Sequence, residues 1–382
     1  MTNIESKHVP EDTNTDVLKY SSDILFLMDA TLTNPNGDPY ENIPRRCRTE
    51  KGDFGEITGV CLGQTIRGYL KDKKNKVTEK NFEIFVDRES AIGTSGEVFE
   101  RFAQKEEELI NKPESERTQF ILKQFLNKYI DVRLFGTLVT VKDKGATKGK
   151  LDQLKIKLLQ NSIQFTGPVQ LGTLGQTVHP IVIQKIPITS TFRSKEGKEG
   201  EKEQEQGTRG EKWVVNYGLY QFTPVIDATL AQKTGMTIGD KALFVEALWC
   251  GIKTRVSGSK TNQLPLLYFE VVYNEGIKGR IGRLSDFIAY EHTKEPQNVR
   301  NIQIDISQLI EVLGKENHKG SIKEIRVIED KDRLCIDIAK KLEDKFKNGK
   351  VDITDGNSLT GRFDNKSKQK SLGATIEEGN SI

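Results

Sequence analysis

Ile24, Leu25, Phe26, Leu27 and Met28 form an unbroken apolar run between Asp23 and Asp29, followed shortly by the hexapeptide NPNGDP. A strand that is apolar on both faces must be covered on both sides, so this run predicts a mid-sheet position. Two prolines, two asparagines, a glycine and an aspartate in six residues then force the chain off the sheet. From Gly59 to Lys74 the spacing turns helical. Leu62, Ile66, Tyr69 and Leu70 share one side, while Arg67, Lys71 and Lys74 share another. With Arg45, Arg46 and Arg48 in the intervening loop, the pattern concentrates positive charge over one sheet edge, an arrangement suited to a polyphosphate. A basic stripe alone is also what a solvated helix face carries.

The 382 residues suit either one core with long insertions or two to three units of roughly 150 residues each. The formal net charge is only +3, so a nucleic-acid site has to come from local clustering. Cys47, Cys61, Cys250 and Cys335 are far apart and contain no CxxC pair. Neither a metal site nor a disulfide framework is expected, and no cofactor motif is present. The first residues lack an apolar signal core and no run is long enough to span a bilayer, which predicts a soluble, cytoplasmic protein with no membrane partner.

Along the chain, residues 1–20 are expected to be flexible, and NFEIFVD to be a short strand through Phe82, Ile84 and Val86. Residues 97–130 are helical in composition with a break at Pro113. DVRLFGTLV (131–139) returns to strand character, with Arg133 fixed either by an internal carboxylate such as Asp131 or by phosphate. Lys142, Lys144, Lys148, Lys150, Lys155 and Lys157 surround Gly145 and Gly149 in a basic loop. Residues 163–190 read as a protruding hairpin, and the apolar-free stretch 194–212 as a mobile loop at its tip. VNYGLYQF resumes strand character. A helix over 237–253 opens on Thr237 and Asp240, a capping-box spacing, and LPLLYFEVVY is a buried strand. Between them, Arg255, Ser257, Ser259 and Lys260 around Gly258 make a candidate phosphate nest. The order β, α, β and again β, α, β is that of ferredoxin-like RNA-recognition modules. Beyond 280, SDFIAYEH reads as helix, SIKEIRVIED as strand and RLCIDIAKKLEDKF as helix; much of 343–382 is expected to be disordered. The resulting divisions are 1–20, 21–162, 163–215, 216–342 and 343–382.

Several of these segments carry a family resemblance. NPNGDP, then Asn42, Pro44 and Arg45 as Asn-x-Pro-Arg, Ile66-Arg67-x-Tyr69-Leu70, Asp131 to Gly136, Thr166 to Gln170 and the VxYGLY strand occur in one order over residues 22–275. The set resembles the backbone subunit of the type I CRISPR surveillance complex Cascade, the Cas-seven family of the RAMP superfamily, with its I-B branch the nearest likeness. The resemblance implies an α+β fold, a modified RRM/ferredoxin-like palm with an inserted β-hairpin thumb and helical insertions. It implies a non-catalytic subunit that binds crRNA, oligomerises along the guide and presents it to target DNA in an R-loop, alongside large, small and guide-processing subunits. The residues carried over as RNA contacts are Asn34, Asn36, Arg45, Arg46, Arg67, Lys71, Arg133, Gln170, Arg255, Ser257, Ser259 and Lys260. Leu171, Leu174, Val178 and His179 are the thumb residues implied to displace a base, with packing of a hairpin stem as their alternative role. Thr33, Tyr40 and the Arg45-Arg46-Cys47-Arg48 run depart from the family pattern.

An enzymatic alternative is a metal-dependent ribonuclease using Asp29 and Asp38, as in type III relatives. In an Asn-Gly-Asp-Pro turn, Asp38 equally serves to bond its own backbone. His8, His179, His292 and His318 have no local acid or cysteine partners. A general RRM would need an RNP1-like aromatic strand, which is missing. A purely structural oligomer is the remaining alternative.

Overall fold

The computed structural model describes residues 16–76, 82–87, 93–142, 145–189, 209–277, 279–334, 336–343, 345–346 and 351–361. Six elements carry the α+β fold: strand β1 (Ser22–Thr33), helix α1 (Gly59–Lys76), strand β2 (Leu174–Thr177), strand β3 (Arg209–Phe222), helix α2 (Ile238–Thr254) and strand β4 (Gln263–Tyr273). The strands lie in the order β4-β1-β3-β2 and each neighbouring pair is antiparallel. With α1 and α2 packed together on one face, the order is β-α-β-β-α-β, although its second strand, β2, lies in the segment that the sequence reading gave to a protruding hairpin. Ile322–Glu329 and Val351–Asp355 extend the sheet beyond β4, and Gly52–Thr58 and Arg46–Thr49 extend it beyond β2.

Strand β1 is central because its two sides are both apolar. Phe26 lies opposite Tyr268 in β4 and Phe222 in β3. Ile24, Phe26 and Met28 pack towards α1 and α2 with Ile66, Leu70 and Phe244. Leu25 and Leu27 point the other way, into a C-terminal cap that supplies Leu309, Leu313 and Ile338. That cap seals the sheet face which an RNA-recognition module leaves open, so polar binding groups have to sit on loops at the strand ends. The capping box of α2 is in place: Asp240 N–H donates to Thr237 Oγ1 at 3.1 Å and Thr237 N–H to Asp240 Oδ2 at 3.0 Å.

Between α1 and β2, helices Ser95–Lys105 and Glu114–Lys128 enclose a core of their own, with Phe99 edge-on to Phe125 at 5.2 Å. Pro113 caps the second of them, as its missing N–H requires. Several sequence readings are corrected. NFEIFVD makes only an isolated bridge, Glu83 to Tyr129, because Phe85 turns into this helical core. Ile130–Phe135 is helical, and strand character begins only at Gly136, whose φ of +74° suits glycine and where a Cβ would lie 2.1 Å from Phe165 O. The basic stretch contains a helix, Ala146–Gln153, in place of an open loop.

Residues 163–189 divide among three partners. Ser162–Thr166 pairs with Gly136–Thr140, β2 joins the main sheet, and Ile183–Thr189 forms a hairpin with Arg209–Val215 of β3. Residues 209–212 of the expected mobile loop are therefore strand; its remainder, 194–208, lies outside the described residues, as do 1–15 and 362–382. SDFIAYEH is a 3-10 turn, Leu284–Phe287, followed by a strand, Ala289–His292, paired with Ile302–Asp305. Within the expected disordered tail, Val351–Asp355 pairs in parallel with Ile325–Glu329, and Gly356 O accepts from Trp249 Nε1 at 3.0 Å.

Candidate nucleic-acid interface

The loop after β1 is built by its own polar side chains. The Asp38 carboxylate accepts from the backbone N–H of Tyr40, Glu41 and Ile43 at 2.8, 2.9 and 2.8 Å. Those amides hold its pKa below the ordinary aspartate value, those of Glu41 and Tyr40 contributing most. Asn36 Oδ1 accepts from Thr58 N–H at 2.9 Å and ties the loop to the start of α1. Asn34 is 3% exposed and donates from Nδ2 to Asn42 O at 2.6 Å, while its enclosed Oδ1 accepts nothing. Leu32 and Asn42 both have left-handed backbones, at φ +48° and +55°.

The loop between α2 and β4 is bolted onto this one. Ser259 O accepts from Asn34 N–H at 3.2 Å and Thr33 Oγ1 at 2.7 Å. Lys260 Nζ donates to Asn34 O and Pro35 O at 2.7 and 2.5 Å, and burial pushes its pKa down. Arg255 reaches Thr65 Oγ1 on α1 at 2.5 Å. The predicted residues Asn34, Asn36, Arg255, Ser257, Ser259 and Lys260 are thus brought together, with Ser259 and Lys260 acting as struts. A third segment, Lys212–Val214 of β3, completes the wall of a cavity of about 290 Å³ that also includes Leu32, Asn42 and Gly258. Leu32, Lys212 and Trp213 were not singled out in the sequence, where nothing links residues 32, 213 and 257 before the sheet pairs them.

The cations divide sharply. Among the described residues Arg45, Arg48 and Lys212 make no ion pair. Arg46 Nε lies 2.7 Å from Asp53 Oδ2, at an angle too poor for a hydrogen bond. The stripe expected to grip phosphate faces carboxylates instead: Arg67 meets Asp131 at 2.9 Å, Lys71 meets Asp87 at 2.9 Å, and Lys74 meets Glu83 at 3.7 Å. Arg67 also stacks on Phe135, 5.0 Å from the ring centroid. Helical periodicity reveals a shared face but not what the fold lays against it. Arg133 takes the internal-carboxylate alternative, with Asp240 as the partner. Its Nε and Nη2 each lie 2.9 Å from an Asp240 oxygen, and Nη1 donates to Leu126 O and Asn127 O at 2.7 and 2.5 Å. These bonds fill the phosphate-binding fork.

Gln170 is exposed and donates to Gly167 O at 2.7 Å. Leu171 packs on the palm core and Leu174 is 45% exposed in β2. Val178 packs against the cap, and His179 is buried parallel to the Tyr217 ring at 5.6 Å. His179 Nδ1 donates to Pro180 O at 2.7 Å and Nε2 accepts from Leu219 N–H at 3.3 Å, and burial lowers its pKa. Val178 and His179 are therefore packing residues, not exposed wedges. Among the described residues at and just before the hairpin, Val182 and Ile186 are exposed large apolar side chains.

The two aspartates of the ribonuclease alternative serve other purposes. Asp29 is buried on the cap side against Arg333, and burial raises its pKa. Asp38 orders its own turn. Among the described residues no group of three or more His, Cys, Asp and Glu side chains is suited to a metal ion, and no helix is long and apolar enough to cross a membrane.

The family model for CRISPR-associated protein Cas7 matches residues 20–307, which take in the whole palm and the cavity. The chain belongs to the Cas7 family. The CRISPR-associated protein Cas7 of Haloferax volcanii is 26% identical over 336 residues, covering 83% of this chain and 88% of the relative. Among solved structures, a chain of a CRISPR RNA-guided surveillance complex in a pre-nicking state superposes with a TM-score of 0.50 at 10% identity, over 89% of this chain and 98% of that one. A chain of another CRISPR RNA-guided surveillance complex gives 0.47 at 12% identity, over 89% and 97%. For this Cas7 chain the 0.50 superposition concerns the fold. Residues 308–361, with the outer strands Ile322–Glu329 and Val351–Asp355, lie beyond the family match.

Proposed function

We propose that the chain is a non-catalytic backbone subunit that binds crRNA and lines up in copies along the spacer of a type I-B Cascade complex. The observation that carries this reading is the convergence of three distant segments on one cavity. Arg45, Arg48 and Lys212, which make no ion pair among the described residues although Arg45 attracts the Asp38 carboxylate from further off, lie on those segments or beside them. Cations without close ion pairs next to loops rich in hydroxyl and backbone N–H groups suit a phosphodiester chain. Guide binding through backbone and shape tolerates any spacer sequence and leaves recognition of target DNA to base pairing. The partners are crRNA, target DNA through the heteroduplex, further copies of the chain, and the large, small and guide-processing subunits, all in the cytoplasm.

The ribonuclease alternative has less support, because Asp38 is held in its turn by three backbone amides and Asp29 is buried against an arginine. The deciding experiment is sequencing of RNA that co-purifies with the chain and its partners. Repeat-derived transcripts are expected, and particles free of nucleic acid would refute the reading.

A further inference from the structure

We infer that residues 356–361 form a strap that fixes the last turn of α2 and, through it, the loop from Arg255 to Lys260, which makes Trp249, Lys253 and Asn357 positioning residues for RNA binding. This deepens the RNA-binding reading and rests on it.

The route of the chain comes first. Val351 and Ile353 pack with the C-terminal cap on one face of the sheet, whereas Leu359 packs with the palm core on the other. Between them the backbone rounds the edge of the sheet. Gly356 N–H still donates to Glu329 O of the neighbouring strand at 2.8 Å, while its carbonyl already faces α2 and accepts from Trp249 Nε1 at 3.0 Å. Glycine suits that crossing, because the Trp249 ring fills the place of a Cβ.

The next residue closes the strap. The Asn357 carboxamide accepts from Lys253 Nζ at 3.1 Å through its oxygen, and through its nitrogen it donates to Asp332 Oδ2 at 3.2 Å and Asp330 Oδ1 at 3.4 Å. A neutral amide thus joins an ammonium on α2 to two carboxylates that follow Ile322–Glu329, with the right polarity at each end. Trp249 and Lys253 are four residues apart and so share one side of the helix, the side that meets the strap. The Lys253 ammonium also lies 5.7 Å from the Trp249 ring centroid.

What the strap holds is the point where the loop departs. α2 ends on Arg255 in an extended conformation, without the left-handed residue that commonly fixes the exit from a helix. Contacts from outside hold its last turn instead. On one side Gly251 lies against α1, where a Cβ would sit 3.2 Å from Tyr69 Cβ, and Arg255 reaches Thr65. On the other side the strap grips Trp249 and Lys253. Beyond Arg255, Val256, Ser257 and Gly258 are exposed, and the next ties to the palm are those of Ser259 and Lys260 to the loop after β1. Three exposed residues therefore span two fixed ends, and a shift of either end moves them all. The strap lies beyond residues 20–307, the stretch matched by the family model, while the loop it serves lies within it.

The test uses the full chain and short single-stranded oligouridine. The Asn357 side chain is exposed, so Asn357→Ala is expected to leave the thermal midpoint almost unchanged. Its affinity for oligouridine should fall about three- to tenfold, the effect of losing order worth about one hydrogen bond. Amide exchange at Ser257, Gly258 and Ser259 should speed up while exchange in the sheet stays that of the wild type. Wild-type affinity in Asn357→Ala would overturn the positioning role and leave the RNA-binding reading standing. Weaker binding accompanied by faster exchange throughout the sheet would make Asn357 a stability residue and equally overturn it. If the wild-type chain binds no oligouridine, both readings fall. Should Asn357→Ala fail to fold, Lys253→Met removes the same bond from the helix side and decides by the same readouts.

Discussion

Arg67 and Asp131 meet at 2.9 Å where α1 joins the helical insertion, and only 1% of the Asp131 side chain is exposed. The same carboxylate accepts from the backbone N–H of Phe85 and Val86 at 2.8 and 3.1 Å. One buried acid thus gathers a helix, a loop and the insertion, and Arg67 neutralises it. Two residues on, Arg133 repeats the device from the insertion towards Asp240 of α2.

Arg67→Ala is therefore a stability variant. It strands a buried carboxylate, a defect worth about 3 kcal/mol. The urea midpoint should fall accordingly, while the slope of log affinity for RNA against log salt stays that of the wild type. A wild-type midpoint with a shallower salt slope would instead make Arg67 a phosphate contact.

Lys212→Ala should show the reverse pattern. Its ammonium is half of no internal pair among the described residues, so its loss leaves the melting curve in place. The salt slope for single-stranded RNA should become shallower by about one unit, the signature of one lost phosphate contact.

Asp38 gives a pH dependence whose sign is fixed by its lowered pKa. A depressed carboxylate contributes order to its loop above the unfolded aspartate value of about 3.9, and that contribution fades as pH falls through the lower folded value. Amide exchange at Tyr40, Glu41 and Ile43 should accelerate in acid, and Asp38→Ala should show the fast exchange already at neutral pH. Incubation with Mg²⁺ and guide-matched RNA is expected to give no cutting by either protein; Asp38-dependent cleavage would restore the ribonuclease alternative.

Gly356→Ala tests the packing of the segment that follows Val351–Asp355. A Cβ there would sit 2.0 Å from Trp249 Cζ2, so the ring or the strand end has to move, at a cost of roughly 1–3 kcal/mol. Truncation before Val351 removes the Trp249 to Gly356 bond and the parallel strand, and should lower the thermal midpoint.

Much of the palm was legible because its signals are local. The apolar run at 24–28, the NPNGDP turn, the Thr237 and Asp240 cap and the strand at 263–273 each declare themselves through neighbours a few residues away. The misreadings share one cause. DVRLF has strand-like composition, yet Asp131 and Arg133 bond to groups 107 or fewer residues distant, and those bonds favour a helical turn. Val351–Asp355 sits in a stretch too polar to bury itself and becomes a strand only because Ile322–Glu329 offers an open edge.

Taken alone, the amino-acid sequence determined the two palm helices, the position of β1 in the middle of the sheet and the loop that leaves its end, since periodicity and turn chemistry act over a few residues. Which cations are spent on carboxylates and which remain available was decided only by the tertiary structure. Pairing a charge depends on what the fold brings within about 4 Å, where a low dielectric makes the partner decisive, and no spacing along the chain encodes that distance.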